Sequence, residues 1–205
     1  MSRILLIHGW SFDASLWLPL RAAEPAHEWF TLDLGYFGRP RLVLPPELDL
    51  VVGHSFGCMW AMEHPGLARV PLVAVNGFPR FAAAGDFPHG TPLRVLDRML
   101  KRLGEAPEEV LGAFHARCGT APPPGEPQLS RLVADLRRMR DGDARLPAER
   151  QPILACAAAD DPLVSSALAR AAFGERLRLL PAGGHALPLT RTAAVAEVIR
   201  EGLAR

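Results

Sequence analysis

The stretch Val51-Val52-Gly53-His54-Ser55-Phe56-Gly57-Cys58 joins an apolar run to a helical pattern through the motif Gly-x-Ser-x-Gly. A strand before this motif and a helix after it form the context in which a serine hydroxyl is exposed at the end of a sheet. The two glycines permit a sharp turn, because side chains at those positions would collide with neighbouring backbone. The stretch predicts that Ser55 is a nucleophile. The alternative is an ordinary strand-to-helix turn.

Short apolar runs with strand character alternate with helical patterns on both sides of this motif. Such alternation predicts an α/β fold, in which helices flank a mostly parallel sheet of about six strands. Ligands of these sheets bind beyond the carboxyl ends of the strands. The length of 205 residues fits a single domain spanning residues 1–205. The predicted strands cover residues 3–7, 29–32, 48–52, 72–75, 152–157 and 177–180.

Strand patterns vanish between residues 78 and 150, where amphipathic helical stretches alternate with proline-rich breaks. This region is predicted to be a helical insertion that forms a lid within the single domain. The apolar positions at helical spacing are Leu93, Leu96, Leu100 and Leu103, then Val110, Leu111 and Phe114, then Leu129, Leu132, Val133, Leu136 and Met139.

Charge and composition argue against several classes of function. A net charge of +1 offers no general attraction to nucleic acid or to a membrane surface. The apolar run at residues 4–7 is too short for a signal peptide or a membrane span, so a cytoplasmic location is expected. The expected oligomeric state is a monomer. The three cysteines (Cys58, Cys118 and Cys156) are widely spaced and predict reduced thiols. Neither a metal nor a cofactor is expected.

A serine hydroxyl needs a base within hydrogen-bond reach, and the base needs a carboxylate that orients it. His185 follows the last predicted strand after a Gly-Gly turn and is the candidate base. Asp161 follows the preceding strand and is the preferred carboxylate, with Asp160 as the alternative. The order Ser, Asp, His, with each residue directly after its own strand, favours a catalytic triad over three unrelated surface residues.

The negative charge that develops on a substrate oxygen needs two fixed donors. The backbone N–H of Phe56, directly after the nucleophile, and that of Trp10, after the first strand, are the candidates. His8 and Asp33 are expected to order loops, and His54 to pack beside the turn. The other histidines of the loops and the insertion, His27, His89 and His115, carry no signal of function.

Four segments together resemble the signatures of the α/β-hydrolase superfamily, in the same order. They are His8-Gly9-Trp10, Gly53-His54-Ser55-Phe56-Gly57, Asp161-Pro162-Leu163-Val164 and Gly184-His185-Ala186. The resemblance spans nearly the whole chain. It implies a compact α/β-hydrolase fold and a Ser-His-Asp triad.

Within the superfamily, the chain is most similar to the biotin-pathway esterases that demethylate pimeloyl-acyl-carrier-protein methyl ester. The similarity rests on His8-Gly9-Trp10 with Trp17 after it, on Asn76-Gly77-Phe78, and on the stretch from Met139 to Leu154. It implies a carrier-linked acyl ester as substrate, an acyl carrier protein as partner, and contact of Phe114 with the acyl chain. Candidate contacts for the acidic carrier are Arg131, Arg137, Arg138 and Arg140, although a solvated helix face also explains them.

The chain departs from that family in three respects. Strands that usually precede His8 are absent, so a smaller sheet is expected. The loop from Asp33 to Pro40 differs from the usual Asp-Leu-Pro-Gly-Phe-Gly-Arg-Ser, and the basic residues of the lid do not align one for one. A general short-chain carboxylesterase or thioesterase is therefore the alternative enzyme, and a ligand- or carrier-binding protein without turnover is the non-enzymatic alternative.

Overall fold

The computed structural model describes all residues from 1 to 205 and contains one six-stranded parallel sheet. The order of its strands is β2-β1-β3-β4-β5-β6, and every neighbouring pair is parallel. This confirms the predicted fold class. The strands are β1 (Arg3–Ile7), β2 (Glu28–Leu32), β3 (Leu50–His54), β4 (Leu72–Val75), β5 (Ile153–Ala158) and β6 (Leu177–Leu180).

Helices cover both faces of the sheet and separate most successive strands, although β3 follows β2 without an intervening helix. Short 3₁₀ turns occupy Ala14–Trp17, Pro65–Leu67 and Gly174–Arg176. None of the helices combines the length and the apolar character that crossing a lipid bilayer requires. The α-helices are α1 (Leu18–Ala23), α2 (Phe56–Glu63), α3 (Leu93–Glu105), α4 (Pro107–Cys118), α5 (Leu129–Asp141), α6 (Arg145–Arg150), α7 (Ser166–Phe173), α8 (Leu187–Thr190) and α9 (Thr192–Leu203).

Successive side chains of the inner strands enter opposite layers of the core. On β1, Leu5 and Ile7 join the cluster that contains α2, α7 and the helices α3 to α6, whereas Ile4 and Leu6 join the cluster that contains α1, α8 and α9. This alternation follows from the two-residue period of a strand. The inner strands β1, β3, β4 and β5 are buried on both faces and are therefore almost entirely apolar. The edge strands β2 and β6 are only partly buried and contain polar residues such as Thr31 and Arg178.

The observed strands differ from the predicted ones mainly at β3. This strand begins two residues later than predicted and continues to His54, where it still pairs with Val75 of β4. The nucleophile candidate Ser55 therefore comes directly after the last paired residue. Helices α3 to α6 all lie between β4 and β5 in the chain, and their buried faces join the core cluster that also contains Trp10, Tyr36 and Phe56.

Candidate active site

Ser55 occupies a strained turn between β3 and α2. Its backbone has φ 52° and ψ −123°, a region that residues other than glycine rarely adopt. Gly57 allows the turn, because a Cβ atom there would lie 2.4 Å from the carbonyl oxygen of Ile7. At Gly53, a Cβ atom would lie 2.8 Å from the backbone nitrogen of Cys58. The two motif glycines thus let the start of α2 pack directly against the ends of β1 and β3.

His185 is oriented by Asp161 and not by Asp160. The ring Nδ1 of His185 lies 2.8 Å from Asp161 Oδ2, and both side chains are almost completely buried. Asp161 Oδ1 accepts hydrogen bonds from the backbone N–H groups of Leu163 and Val164. Since a carboxylate is only an acceptor, Nδ1 of His185 carries the proton and Nε2 is left with a free lone pair.

Asp160 has a different structural role. Its Oδ1 accepts hydrogen bonds from the backbone N–H groups of Gly183 and Gly184, at 2.9 and 2.8 Å. The hydrogen bonds from this Gly-Gly backbone hold the pKa of Asp160 below its usual value. Asp160 therefore shapes the turn that carries His185, while the adjacent Asp161 contacts the ring itself.

The second ring nitrogen of His185 has no hydrogen-bond partner. Nε2 is buried, and in particular it forms no hydrogen bond with the Ser55 hydroxyl. Hydrogen bonds of this kind are often long before substrate binds and shorten in the reactive complex. A buried imidazole with a fixed tautomer and a free lone pair has the properties that a general base requires.

Asn76 and His54 clamp the backbone of His185, a role that the sequence did not reveal. Asn76 Nδ2 donates to the carbonyl oxygens of Gly184 and His185 at 2.9 and 2.6 Å, and its Oδ1 accepts from the N–H of Ala158. His54 Nε2 donates to the same His185 carbonyl at 3.0 Å. Burial, together with the nearby His185 ring, lowers the pKa of His54 well below its usual value, so His54 is neutral.

The turn after β1 lies against the nucleophile. A Cβ atom on Gly9 would lie 2.9 Å from both His54 Nδ1 and Ser55 Cβ, so only glycine allows this approach. The backbone N–H of Trp10 donates to no other backbone or side-chain group. Phe56 is the first residue of α2, where N–H groups have no partner within the helix. Both predicted oxyanion donors are therefore free to bind a substrate oxygen.

His8 and Asp33 order the loops beside this turn. The His8 ring lies 2.9 Å from the carbonyl oxygen of Gly9 through Nδ1, and its Nε2 accepts from the backbone N–H of Leu34. Asp33 Oδ1 accepts from the N–H of Gly35 and lies 3.4 Å from the His8 ring. Both side chains thus hold backbone and neither contacts Ser55 through a hydrogen bond.

A cavity of about 740 Å³ opens from Ser55 between helices α3 and α4. Phe114 lines it and meets the edge of the Trp10 ring, with centroids 4.9 Å apart. The polar lining residues include Arg98, Arg102 and Arg117. Its apolar wall is formed mainly by Trp10, Phe81, Val95, Leu96, Met99, Val110, Ala113, Phe114, Leu136, Met139 and Leu163.

The four arginines of α5 that were carrier-contact candidates do not line this cavity. Arg138 pairs with Glu63 at 2.6 Å and Asp135 at 3.1 Å, and its guanidinium lies over the Phe56 ring. Arg140 pairs with Asp97 and Asp141. Arg131 and Arg137 form no ion pair, and Arg137 is exposed.

No three histidine, cysteine, aspartate or glutamate side chains are grouped so that they could hold a metal ion. The three cysteines are buried and unpaired. Burial raises the pKa of both Cys118 and Cys156 to about 12, so these thiols are poor nucleophiles near neutral pH. The Ser55 hydroxyl is therefore the candidate nucleophile of the site.

The sequence model of a protein family described as "Alpha/beta hydrolase family" matches residues 4–198. Comparison with curated proteins finds no match.

Solved structures resemble the chain over its whole length. An esterase from Exiguobacterium antarcticum has 14% identity and a TM-score of 0.82, with 100% of this chain and 92% of that chain covered. A bromoperoxidase from Bacillus anthracis has 17% identity and a TM-score of 0.81, with the same coverage. An enol-lactonase from Burkholderia xenovorans LB400 has 16% identity and a TM-score of 0.65, again with 100% and 92% covered. These names describe different activities on one fold, so the likeness is one of architecture.

Proposed function

Because the chain belongs to the alpha/beta hydrolase family, we propose that it is a serine hydrolase that cleaves carboxylic esters. The observation that carries this proposal is the buried 2.8 Å contact between His185 Nδ1 and Asp161, which leaves Nε2 free as a base. The strained turn that holds Ser55 adds support, because such strain is typical of an exposed nucleophile.

The reaction follows from the roles of these groups. Ser55 Oγ attacks the ester carbonyl carbon while its proton passes to His185 Nε2. The negative charge on the carbonyl oxygen is stabilised by the backbone N–H groups of Trp10 and Phe56. Collapse of this tetrahedral intermediate breaks the ester bond, and the imidazolium protonates the departing alcohol. Water, activated by the same imidazole, then releases the acid from Ser55.

For the substrate we propose the methyl ester of a carrier-linked dicarboxylic acyl group similar to pimeloyl. A mostly apolar cavity that begins at Ser55 suits a linear acyl chain, and Phe114 contributes to its wall. Arg98 on α3 lines the same cavity and suits an acidic carrier or its phosphate, whereas Arg102 beside it pairs with Glu109 at 2.5 Å. Purified protein incubated with methyl-pimeloyl carrier conjugate should release the free acid.

A general short-chain carboxylesterase or a thioesterase is the second candidate, since both would use the same triad chemistry as a hydrolase of the carrier-linked ester. The apolar character of the cavity favours an acyl substrate without selecting the leaving group. Good turnover of simple esters or thioesters, with none of the carrier conjugate, would reject the carrier substrate and leave the serine hydrolase proposal intact.

Ser55→Ala tests the enzyme itself. The variant should lose hydrolysis of a chromogenic short-chain ester and all labelling by a fluorophosphonate, which reacts only with an activated serine. Unchanged ester hydrolysis in Ser55→Ala would overturn the assignment. A protein with no turnover of any ester and no labelling would favour the ligand-binding alternative.

Two charge-reversal variants distinguish whether arginines of the cavity or arginines of α5 attract an acidic carrier. Arg98→Glu changes an arginine of the cavity, whereas Arg137→Glu changes an exposed arginine of α5 outside it. We expect Arg98→Glu to raise KM for the carrier conjugate while leaving the KM of a small neutral ester unchanged. The attraction should weaken with salt, because it acts between exposed charges. A larger effect of Arg137→Glu would instead support the α5 arginines.

A further inference from the structure

His115 links the insertion to the turn that carries a proposed oxyanion donor. It lies on α4 and is completely buried. Its Nε2 lies 2.8 Å from the carbonyl oxygen of Ser11 and 3.0 Å from the Ser11 hydroxyl. Its Nδ1 lies 2.9 Å from the hydroxyl oxygen of Thr120. His115, for which the sequence indicated no function, thus contacts Ser11, the residue after Trp10.

The partners of His115 determine which ring nitrogen carries the proton. A carbonyl oxygen only accepts, so Nε2 donates to Ser11, and Nδ1 accepts from the Thr120 hydroxyl. Burial lowers the pKa of His115, which keeps the ring neutral with this proton arrangement. His115 is therefore a fixed donor directed at the backbone of Ser11.

Ser11 has a backbone conformation that a residue of its type seldom adopts without support. Its φ is 61°, in the left-handed region that favours glycine, and the residue is fully buried. This conformation sets the direction of the peptide groups on either side of the Trp10–Ser11 turn. A side chain that holds the Ser11 carbonyl therefore also holds the turn from which the Trp10 N–H projects.

Two further contacts tie this turn to the insertion. The indole Nε1 of Trp10 donates to the carbonyl oxygen of Leu132 on α5 at 2.8 Å. Phe114, directly before His115, meets the edge of the Trp10 ring. These contacts restrain the Trp10 side chain, whereas the His115 contact restrains the backbone after it. Of these contacts with the insertion, only that of His115 acts on the main chain of the turn. Within the turn itself, His8 Nδ1 and the Phe12 N–H hold the Gly9 carbonyl, which belongs to the same peptide as the Trp10 N–H.

We propose that His115 is a positioning residue, which holds the Trp10–Ser11 turn so that the Trp10 N–H stabilises the oxyanion. The inference rests on the proposed serine hydrolase function. It makes oxyanion stabilisation depend on the hydrogen bond from His115 to the Ser11 carbonyl, and not on how tightly the apolar face of α4 is packed. Loss of the contact should impair the transition state more than the binding of substrate.

Two near-isosteric substitutions of His115 separate this role from simple packing. His115→Gln keeps an N–H close to the position of Nε2, whereas His115→Asn keeps a polar group only near Nδ1, on the Thr120 side. Leu111→Ala, one turn earlier on the buried face of α4, is the matched control, because it shortens a buried apolar side chain of the helix and keeps the His115 side chain. Each variant is assayed for kcat and KM on a chromogenic ester.

The second measurement is the affinity for a trifluoromethyl ketone with the same acyl group. Ser55 Oγ adds to the ketone carbon, its proton passes to His185 Nε2, and the ketone oxygen becomes an oxyanion. Since removal of one oxyanion donor costs about 10²- to 10³-fold in kcat, we expect about a 10- to 100-fold loss for the displaced donor in His115→Asn. The ketone affinity should fall in parallel, and KM should change by less than about threefold.

His115→Gln should keep most of the wild-type kcat and ketone affinity. Leu111→Ala should lower the free energy of unfolding without a parallel loss of kcat and ketone affinity. Equal kcat values for His115→Gln and His115→Asn, or a loss that appears only in KM, would overturn the inference. If His115→Asn does not fold, Thr120→Val provides the same test, because it removes the hydroxyl that fixes the His115 proton. It should lower kcat and ketone affinity together, and an unchanged kcat would count against the proposal.

Failure of the proposed function would give a different set of results from failure of the His115 inference. A wild-type protein that neither hydrolyses the ester nor binds the ketone would overturn the serine hydrolase proposal and this inference with it. A wild type that is active, loses activity in Ser55→Ala and is insensitive to His115→Asn would overturn this inference alone.

Discussion

Substitution of Asn76 tests the clamp that holds His185, the proposed catalytic base. Its side chain makes three hydrogen bonds, to the carbonyls of Gly184 and His185 and from the N–H of Ala158. Since each contributes about 0.5–1.5 kcal/mol, Asn76→Ala should lower the free energy of unfolding by about 2–4 kcal/mol. In a domain of this size, that loss corresponds to a decrease in Tm of about 4–16 °C.

Activity should fall as well, because the backbone of His185 loses a 2.6 Å contact. His54 still donates to the same carbonyl, so the ring is displaced only partly. As a misplacement of about 1 Å can cost about 10²-fold in rate, we expect a loss in kcat of about 10-fold. In Asn76→Asp, an oxygen replaces the amide donor and faces two carbonyl oxygens, so at neutral pH this variant should be less stable than Asn76→Ala.

Gln151→Ala is the matched control for Asn76→Ala. Gln151 is also a buried amide, and it donates to the carbonyls of Leu67 and Val70 before β4, at the amino edge of the sheet. Urea unfolding followed by tryptophan fluorescence gives the stability of each variant, and a chromogenic ester gives kcat. A kcat loss as large in Gln151→Ala as in Asn76→Ala would refute the clamp. So would an Asn76→Ala protein with the stability and kcat of the wild type.

Three further substitutions test the turn, the triad and the buried imidazole. Gly57→Ala should lower the free energy of unfolding by about 3 kcal/mol or more, because its Cβ would lie 2.4 Å from a backbone oxygen of β1; Gly112→Ala, with open space around it, should be harmless in the same urea titration. Asp161→Asn should lower kcat by about 10³- to 10⁴-fold, whereas Asp160→Asn, which keeps its acceptor oxygen, should stay near the wild type; the reverse order would exchange the two roles. The pKa of His54 is lowered in the folded state, so below about pH 6.5 the unfolded state binds a proton that the folded state does not. The contribution to the free energy of unfolding is therefore fully present above that pH and is lost toward acid at up to about 1.4 kcal/mol per pH unit. His54→Gln should flatten this part of the pH dependence of urea unfolding, and an unchanged slope would contradict the assignment.

The sequence was sufficient to predict the sheet and the loops that hold the proposed triad. Buried parallel strands are short apolar runs, and the carboxyl ends of parallel strands meet at one edge. Ser55, Asp161 and His185 each follow such a run, so their neighbourhood could be inferred without coordinates. The strand boundary at β3 was less accurate, because pairing with β4 extends the strand to His54.

The choice between Asp160 and Asp161 needed the folded chain. The two residues are adjacent and chemically identical, so no pattern in the sequence separates them. The turn after β5 directs one carboxylate to the backbone of Gly183 and Gly184 and the other to the ring of His185. The arginines of α5 that were candidate carrier contacts also needed the folded chain. Helical spacing did not reveal that Arg138 lies between the carboxylates of Glu63 and Asp135.

By itself, the sequence determined the features that arise from neighbouring residues: the alternation of strands and helices, and the glycine-flanked turn at Ser55. Tertiary structure decided which polar side chains hold this turn and its base in place. His115 reaches Ser11 across 104 positions of the chain, and Asn76 reaches His185 across 109. Steric limits and hydrophobic periodicity act over a few residues and can be read locally. A hydrogen bond needs two groups within about 3 Å, and for such distant residues only the folded chain determines that distance.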